Sequence, residues 1–285
     1  MGRIERGWEI TKQSFAILMS DKQLMRLPFL SGISCLLVSA VILSGGGLIA
    51  FLVIFYTRWE SSPLLNYFLI WISVFVLYLV NYFLIVFFNV ALVSAAAERL
   101  AGRPTTIRGA VAKAWERKGK VMQWAILAST VGVILRMVER RLGLVGVLVS
   151  RLIGIAWALA SYFVAPVLVF ENLGPIDALK RSGSIFRETW GEDLVGQFSI
   201  GLIFVLLAIV GVVVWTAMMV MGGAMGVYVG SALLLLYCIT LGVANAAVEG
   251  IFTAALYRFA TTNEVPPGFV PETLTMAWRP KKRKF

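Results

Sequence analysis

The 285-residue sequence contains no histidine and only two cysteines. Without imidazole, neither a histidine-bearing zinc site nor a serine–histidine catalytic pair can be assembled. Cys35 and Cys238 both fall inside apolar runs, which suits packing better than a disulfide framework. Charge is scarce as well, at 14% of residues against about 25% in a soluble domain. The acidic side is the thinner one, with 15 Asp and Glu against 26 Lys and Arg.

What fills the space is apolar: 59% of residues are hydrophobic and the mean hydropathy is +0.85. A bilayer core about 30 Å thick is crossed by a helix of about 20 apolar residues. Charge-free stretches of suitable length occur at Leu27 to Thr57, Leu64 to Ala97, Val121 to Leu135, Leu152 to Phe170 and Leu194 to Gly230, and Val227 to Tyr257 carries a single charge, Glu249. The last two divide at Gly222, Gly223, Gly226 and Gly230. The expected fold is therefore an all-α integral membrane protein with about six spanning helices. The third stretch is short before Arg136 and extends through Val138 if that cation is tolerated. Pro166 should bend the fourth span. No small-residue cleavage pattern precedes the first run, so it is expected to stay as an anchor.

With both termini in the cytoplasm, only Arg58, Arg136, Arg140, Arg141 and Arg151 lie outside, leaving 21 of the 26 basic residues inside. The positive-inside rule favours that orientation. Four of the five outside cations nevertheless cluster between the third and fourth spans, which points to a re-entrant or interfacial turn there.

Three inside segments repeat apolar residues at three- and four-residue spacing: Ile4, Trp8, Phe15, Leu18; Ile107, Val111, Ala114, Trp115; and Ile176, Leu179, Phe186, Trp190. Each predicts a cytoplasmic-side amphipathic helix with its tryptophan as an interfacial anchor. Each leads into an out-and-back pair of spans. The single transmembrane domain, residues 1–263, thus reads as three units at 1–103, 104–173 and 174–263, followed by a basic tail at 264–285.

Glu249 is the one acidic residue inside an apolar run, nine residues before Arg258 and so about 13 Å into the membrane. Asn245 lies one turn earlier on the same face. Asn89, nine residues before Glu98 on another outward-to-inward span, falls at a similar depth. Such a polar cluster either lines an ion or proton path or joins helices by hydrogen bonds. In the tail, Arg279, Lys281, Lys282, Arg283 and Lys284 form a run that suits anionic lipid, at about 1 kcal/mol per cation near the surface. Nucleic acid is the weaker partner, since no stacking platform accompanies the run.

Phosphate-binding glycine loops, paired-histidine metal motifs and nucleophile elbows do not occur. Glu171, Asp177, Glu188, Glu192 and Asp193 read as helix-end and surface charges. No cofactor, no metal and no enzymatic activity are expected.

The combination Arg6-Gly7-Trp8-Glu9 with Asp21-Lys22, Pro166-Val167-Leu168-Val169-Phe170-Glu171, Gly174-Pro175, Ala178-Leu179-Lys180-Arg181-Ser182, Thr189-Trp190-Gly191-Glu192, and Ala255-Leu256-Tyr257-Arg258 with Val265-Pro266 resembles a family of prokaryotic multi-pass membrane proteins known only as a domain of unknown function. That resemblance implies a prokaryotic cytoplasmic membrane and no particular activity. Glu98-Arg99-Leu100 with Gly102-Arg103-Pro104 is similar, over a short span, to the sulfate-permease type of small inner-membrane protein. The functional expectation is an oligomeric channel-like or transport protein for small ions or solutes. The alternative is a non-conducting scaffold that organises lipids or partner proteins.

Overall fold

Within hydrocarbon, every backbone N–H and C=O must find its partner inside the chain, and runs this apolar satisfy that by becoming helices. The computed structural model describes residues 3–56, 63–189 and 195–270, and every regular element among them is helical. In order these are α1 (Arg3–Ser20), a 3-10 turn (Lys22–Met25), α2 (Arg26–Tyr56), α3 (Pro63–Leu100), α4 (Ile107–Glu116), α5 (Lys118–Ser161), α6 (Val164–Phe170), α7 (Pro175–Thr189) and α8 (Val195–Thr262). Five segments among the described residues are long and apolar enough to cross a membrane.

The longest of the five, Ile200–Thr262, has 63 residues and would measure about 94 Å if straight, three times the thickness of a bilayer core. It reverses instead. Gly223 takes φ 55° and ψ −140°, a conformation that disfavours any residue with a Cβ. Beyond it the two arms lie side by side. The Tyr237 hydroxyl donates to the Leu207 carbonyl at 2.9 Å, and Trp215 Nε1 donates to Ser231 Oγ at 3.1 Å. Gly226 sits so close to the Met218 carbonyl that a side chain there would overlap it.

α5 behaves the same way. Its 44 residues would span about 66 Å, yet the rings of Trp124 and Trp157 stack with centroids 5.7 Å apart. Near the tip the Ser150 hydroxyl donates to Glu139 across the two arms. The first arm is apolar enough to cross a membrane from Lys118 to Glu139, so helix continues past Arg136. The basic segment at 136–151 is therefore the helical tip of a hairpin.

Pro166 interrupts its helix more sharply than a bend. α5 stops at Ser161, a turn occupies Tyr162 and Phe163, and α6 starts at Val164. Proline is thereby in the first turn of the new helix, where a missing N–H leaves nothing unpaired. The Phe163 N–H exposed by the break donates to Ser182 Oγ of α7 at 2.9 Å, and both residues are fully buried.

Capping fixes the short helices. Thr106 Oγ1 accepts from the Gly109 N–H at 3.1 Å and starts α4, and Asp21 accepts from the Gln23 N–H at 3.1 Å ahead of the 3-10 turn. Thr105 also donates to Asp21 at 2.9 Å, tying the two starts together.

α3 is the centre of the packing, touching α2, α4, α5, α6 and α8. α1, although first in the chain, packs chiefly on α8, the last helix. The buried core gathers at one end of the molecule. It takes in Val86 to Leu100 of α3, Val121 to Ala128 of α5, α6, and Ala244 to Phe259 of α8, together with α1, α4 and α7.

Each short helix presents small residues to this core: Ser14 on α1, Ala110 and Ala114 on α4, and Ala178 and Ser182 on α7. The large residues of the expected apolar stripes divide, with Ile107 and Val111 packed against the core and others turned outward. Trp8 and Trp115 are each 57% exposed, and Phe15 and Ile176 are also exposed. Leu18 is buried, while Leu179 and Phe186 are partly so.

Candidate functional site

The second arm of α8 and the inner half of α3 run parallel and in register. Arg258 Nη1 donates to the Leu100 carbonyl at 3.1 Å, and Gly250 abuts Leu92; both pairs are 158 residues apart. A Cβ at Gly250 would stand 2.4 Å from a Leu92 methyl, so the two helices approach closely only because that position is glycine. Glu249 is the neighbour of this contact, and its side chain is exposed.

Asn245 joins Glu249 one helical turn away, donating from Nδ2 to Oε1 at 3.1 Å. The Asn245 carbonyl oxygen is shielded from solvent and receives no hydrogen bond. Given the register, Asn89 corresponds to position 247 and so lies at the same depth as this pair to within about 3 Å. Its side chain is exposed too, and among the described residues no hydrogen bond joins it to Glu249 or Asn245. The structure thus brings together two of the three predicted polar residues and sets the third at a similar height on α3 without a hydrogen bond to them.

A cavity of about 490 Å³ lies between the arms of α8, well away from Glu249. Val210, Val214, Met218, Leu233 and Leu234 line it, with Trp215 and Tyr237 spending their polar atoms on the other arm or its backbone. Its lining offers an ion almost nothing to replace hydration. No group of metal-ligating side chains occurs among the described residues.

The polar contacts that sequence reading missed lie where spans meet the short helices. Glu98, at the end of α3, pairs with Arg103 and reaches Lys113 of α4. The carboxylate's hydrogen bond raises the Arg103 guanidinium above its ordinary value. Glu171, just after α6, accepts a two-pronged contact from Arg181 Nε at 3.0 Å and a hydrogen bond from the Tyr257 hydroxyl at 2.8 Å. It stands at the end of α6, as expected of a helix-end charge, and also clamps α7 and α8 to α6. Lys120 donates to the Asn172 carbonyl on the same side of the molecule. A carboxylate ending one span and a cation on the following amphipathic helix is the only signal that could have announced these clamps.

Among the anchors, the Trp115 ring meets Phe87 edge-on at 6.2 Å and carries the Lys118 ammonium 4.2 Å from its centroid. Trp8 lies on the exposed side of α1. Trp190 and the basic residues Arg279, Lys281, Lys282, Arg283 and Lys284 lie outside the described residues.

A model catalogued as a family of unknown function (DUF6159) matches residues 68–266, more than half of the chain. No curated protein and no solved structure matches it.

Proposed function

The chain belongs to that family of unknown function, and from its geometry we propose an oligomeric, channel-like or transport protein with six spans and both termini on the cytoplasmic side. Counting each α8 arm separately turns five membrane-length segments into six. Three units, each a short amphipathic helix followed by an out-and-back pair, describe the element order, with α1 closing the ring onto α8.

One observation carries the transport reading: a carboxyl side chain at mid-depth is exposed on the outside of a single chain. Lipid tails solvate such a group poorly, and intramembrane carboxylates face either protein or a water-filled path. Glu249, Asn245 and Asn89 therefore face a seam between copies, where the unpaired Asn245 oxygen can accept a hydrogen bond from water or a neighbour. The basic tail and the exposed tryptophans would hold the assembly to anionic lipid.

A scaffold reading has its own support, since the large residues Trp8, Phe15, Trp115 and Ile176 are displayed outward from the short helices. Flux through vesicles separates the two. With the wild-type chain reconstituted, ion or proton flux should exceed that of empty liposomes, and Glu249→Gln should change it while the melting temperature holds. Wild-type vesicles as tight as empty ones under every gradient would remove the channel and leave the scaffold.

A further inference from the structure

The α5 hairpin ends among arginines. Arg136 stands on the first arm, Arg141 at the tip and Arg151 on the second arm, all three exposed; the sequence adds another arginine at 140. Lysine is absent from this cluster. Guanidinium forks match the oxygens of a phosphate two at a time, which a point-charge ammonium does not.

The arrangement leaves these cations uncommitted. Glu139 is the one carboxylate between them, and it accepts from the Ser150 hydroxyl. No ion pair involves Arg136, Arg141 or Arg151 among the described residues. The Glu139–Ser150 bond also sets the register of the two arms, bringing Arg136 and Arg151 to the same height. Arg136 is further steadied by the Tyr78 ring of α3, 5.7 Å from its guanidinium carbon.

Height along the bilayer decides what kind of phosphate fits. Tyr78 is 22 residues before Leu100, and the first arm of α5 has 22 residues, so the tip and Tyr78 both stand about 33 Å from the end where the core is packed. A hydrocarbon core about 30 Å thick ends at that height, where the headgroups of the far leaflet begin. Below the arginines the arms show bare apolar side chains, Ile126, Ile134, Leu152 and Ile155, which a water-borne anion does not need and acyl chains would cover.

We propose that the tip of the α5 hairpin binds the headgroup phosphate of an anionic phospholipid in the leaflet opposite the short amphipathic helices, with Arg136 and Arg151 as its forks. This site also accounts for a basic cluster at the end where the charge asymmetry of the chain disfavours one. It does not depend on whether the protein conducts.

The test is native mass spectrometry of the full chain in detergent, titrated with phosphatidylglycerol and, separately, phosphatidylcholine. Wild type should retain phosphatidylglycerol preferentially, and Arg136→Gln with Arg151→Gln should weaken that retention on the order of tenfold at an unchanged melting temperature. Should the glutamine pair fail to fold, Arg136→Lys with Arg151→Lys keeps the charge and should still lose several-fold through loss of the forks. Equal retention by wild type and the lysine pair overturns the site. So does equal retention of the two lipids, or displacement of the lipid by inorganic phosphate at matched concentration, which would mark a free-anion site.

Discussion

The two ends of the second α8 arm are alike in hydropathy and opposite in burial. From Ala244 to Phe259 the arm is mostly enclosed, with Val248, Ile251 and Leu256 wholly buried. Between the reversal at Gly223 and Gly242 it is mostly bare: Tyr228 is 76% exposed and Leu235 64%. Apolarity cannot account for the difference, because lipid tails are as apolar as leucine and give no drive for helices to leave them. Residue size and polar clamps can. The enclosed end buries the small residues Ala244, Ala247, Gly250, Ala254 and Ala255, with Gly250 against Leu92 of α3, and it is fastened by Arg258 to Leu100 and by Tyr257 to Glu171. The open end carries the large run Leu233 to Leu236 with Ile239 and Leu241, and its cross-helix hydrogen bonds among the described residues go to its own hairpin partner.

The largest effect should come from filling the closest approach in the enclosed end. Gly250→Val puts its Cβ within 2.4 Å of the Leu92 methyl, and overpacking of this kind costs about 1–3 kcal/mol or more. A melting curve in detergent should shift down markedly, and Gly250→Val with Leu92→Ala should recover part of the loss. A wild-type melt for Gly250→Val would mean the helices are not in contact there.

Next comes the break at Tyr162 and Phe163. Ser182→Ala strips the fully buried Phe163 N–H of its acceptor, which costs about 1–3 kcal/mol. Hydrogen exchange should accelerate at the Phe163 amide, with little change on α2, which does not contact this turn. Tyr257→Phe, removing the donor to Glu171, should cost less, about 1 kcal/mol. A double-mutant cycle with Glu171→Gln would read the coupling directly; additivity would show that this clamp contributes nothing.

These contacts mark the limit of what the sequence conveys. Charge-free runs placed the helices well: Leu27 to Thr57 became Arg26–Tyr56, and the glycine cluster holds the reversal at Gly223. Thr106 caps α4 and Pro175 opens α7, residue types that suit those positions because capping chemistry is local. Helix faces were harder to read. Hydrophobic periodicity rewards large residues, so it picked the stripe with Trp8 and Phe15, whereas Ser14 and Ser182 face the core because small side chains let backbones close. Likewise Asn245 and Glu249 were legible as one turn of one helix, but the direction in which Asn89 projects depends on how α3 rotates against α8. No local pattern encodes that rotation, nor the reach from Glu171 to Tyr257, 86 residues away.

The smallest effect, and the one that sharpens the contrast most, belongs to Leu235→Ala in the open end. In the enclosed end, truncating a leucine such as Leu256 removes packed contacts and leaves a cavity, at about 2–5 kcal/mol. Leu235, 64% exposed, leaves no such cavity where its side chain meets lipid, since lipid closes over the alanine. Its loss should stay within about 0.5 kcal/mol, the range of substitutions away from packed features. Comparing the two variants in detergent and again in lipid bilayers gives the result its meaning. If Leu235→Ala is silent in detergent but costs 2 kcal/mol or so in the bilayer, on the scale of a packed leucine, the bare face is covered there by protein. A second copy would then be the simplest cover, and the open end would be an interface awaiting its partner instead of a surface finished by lipid.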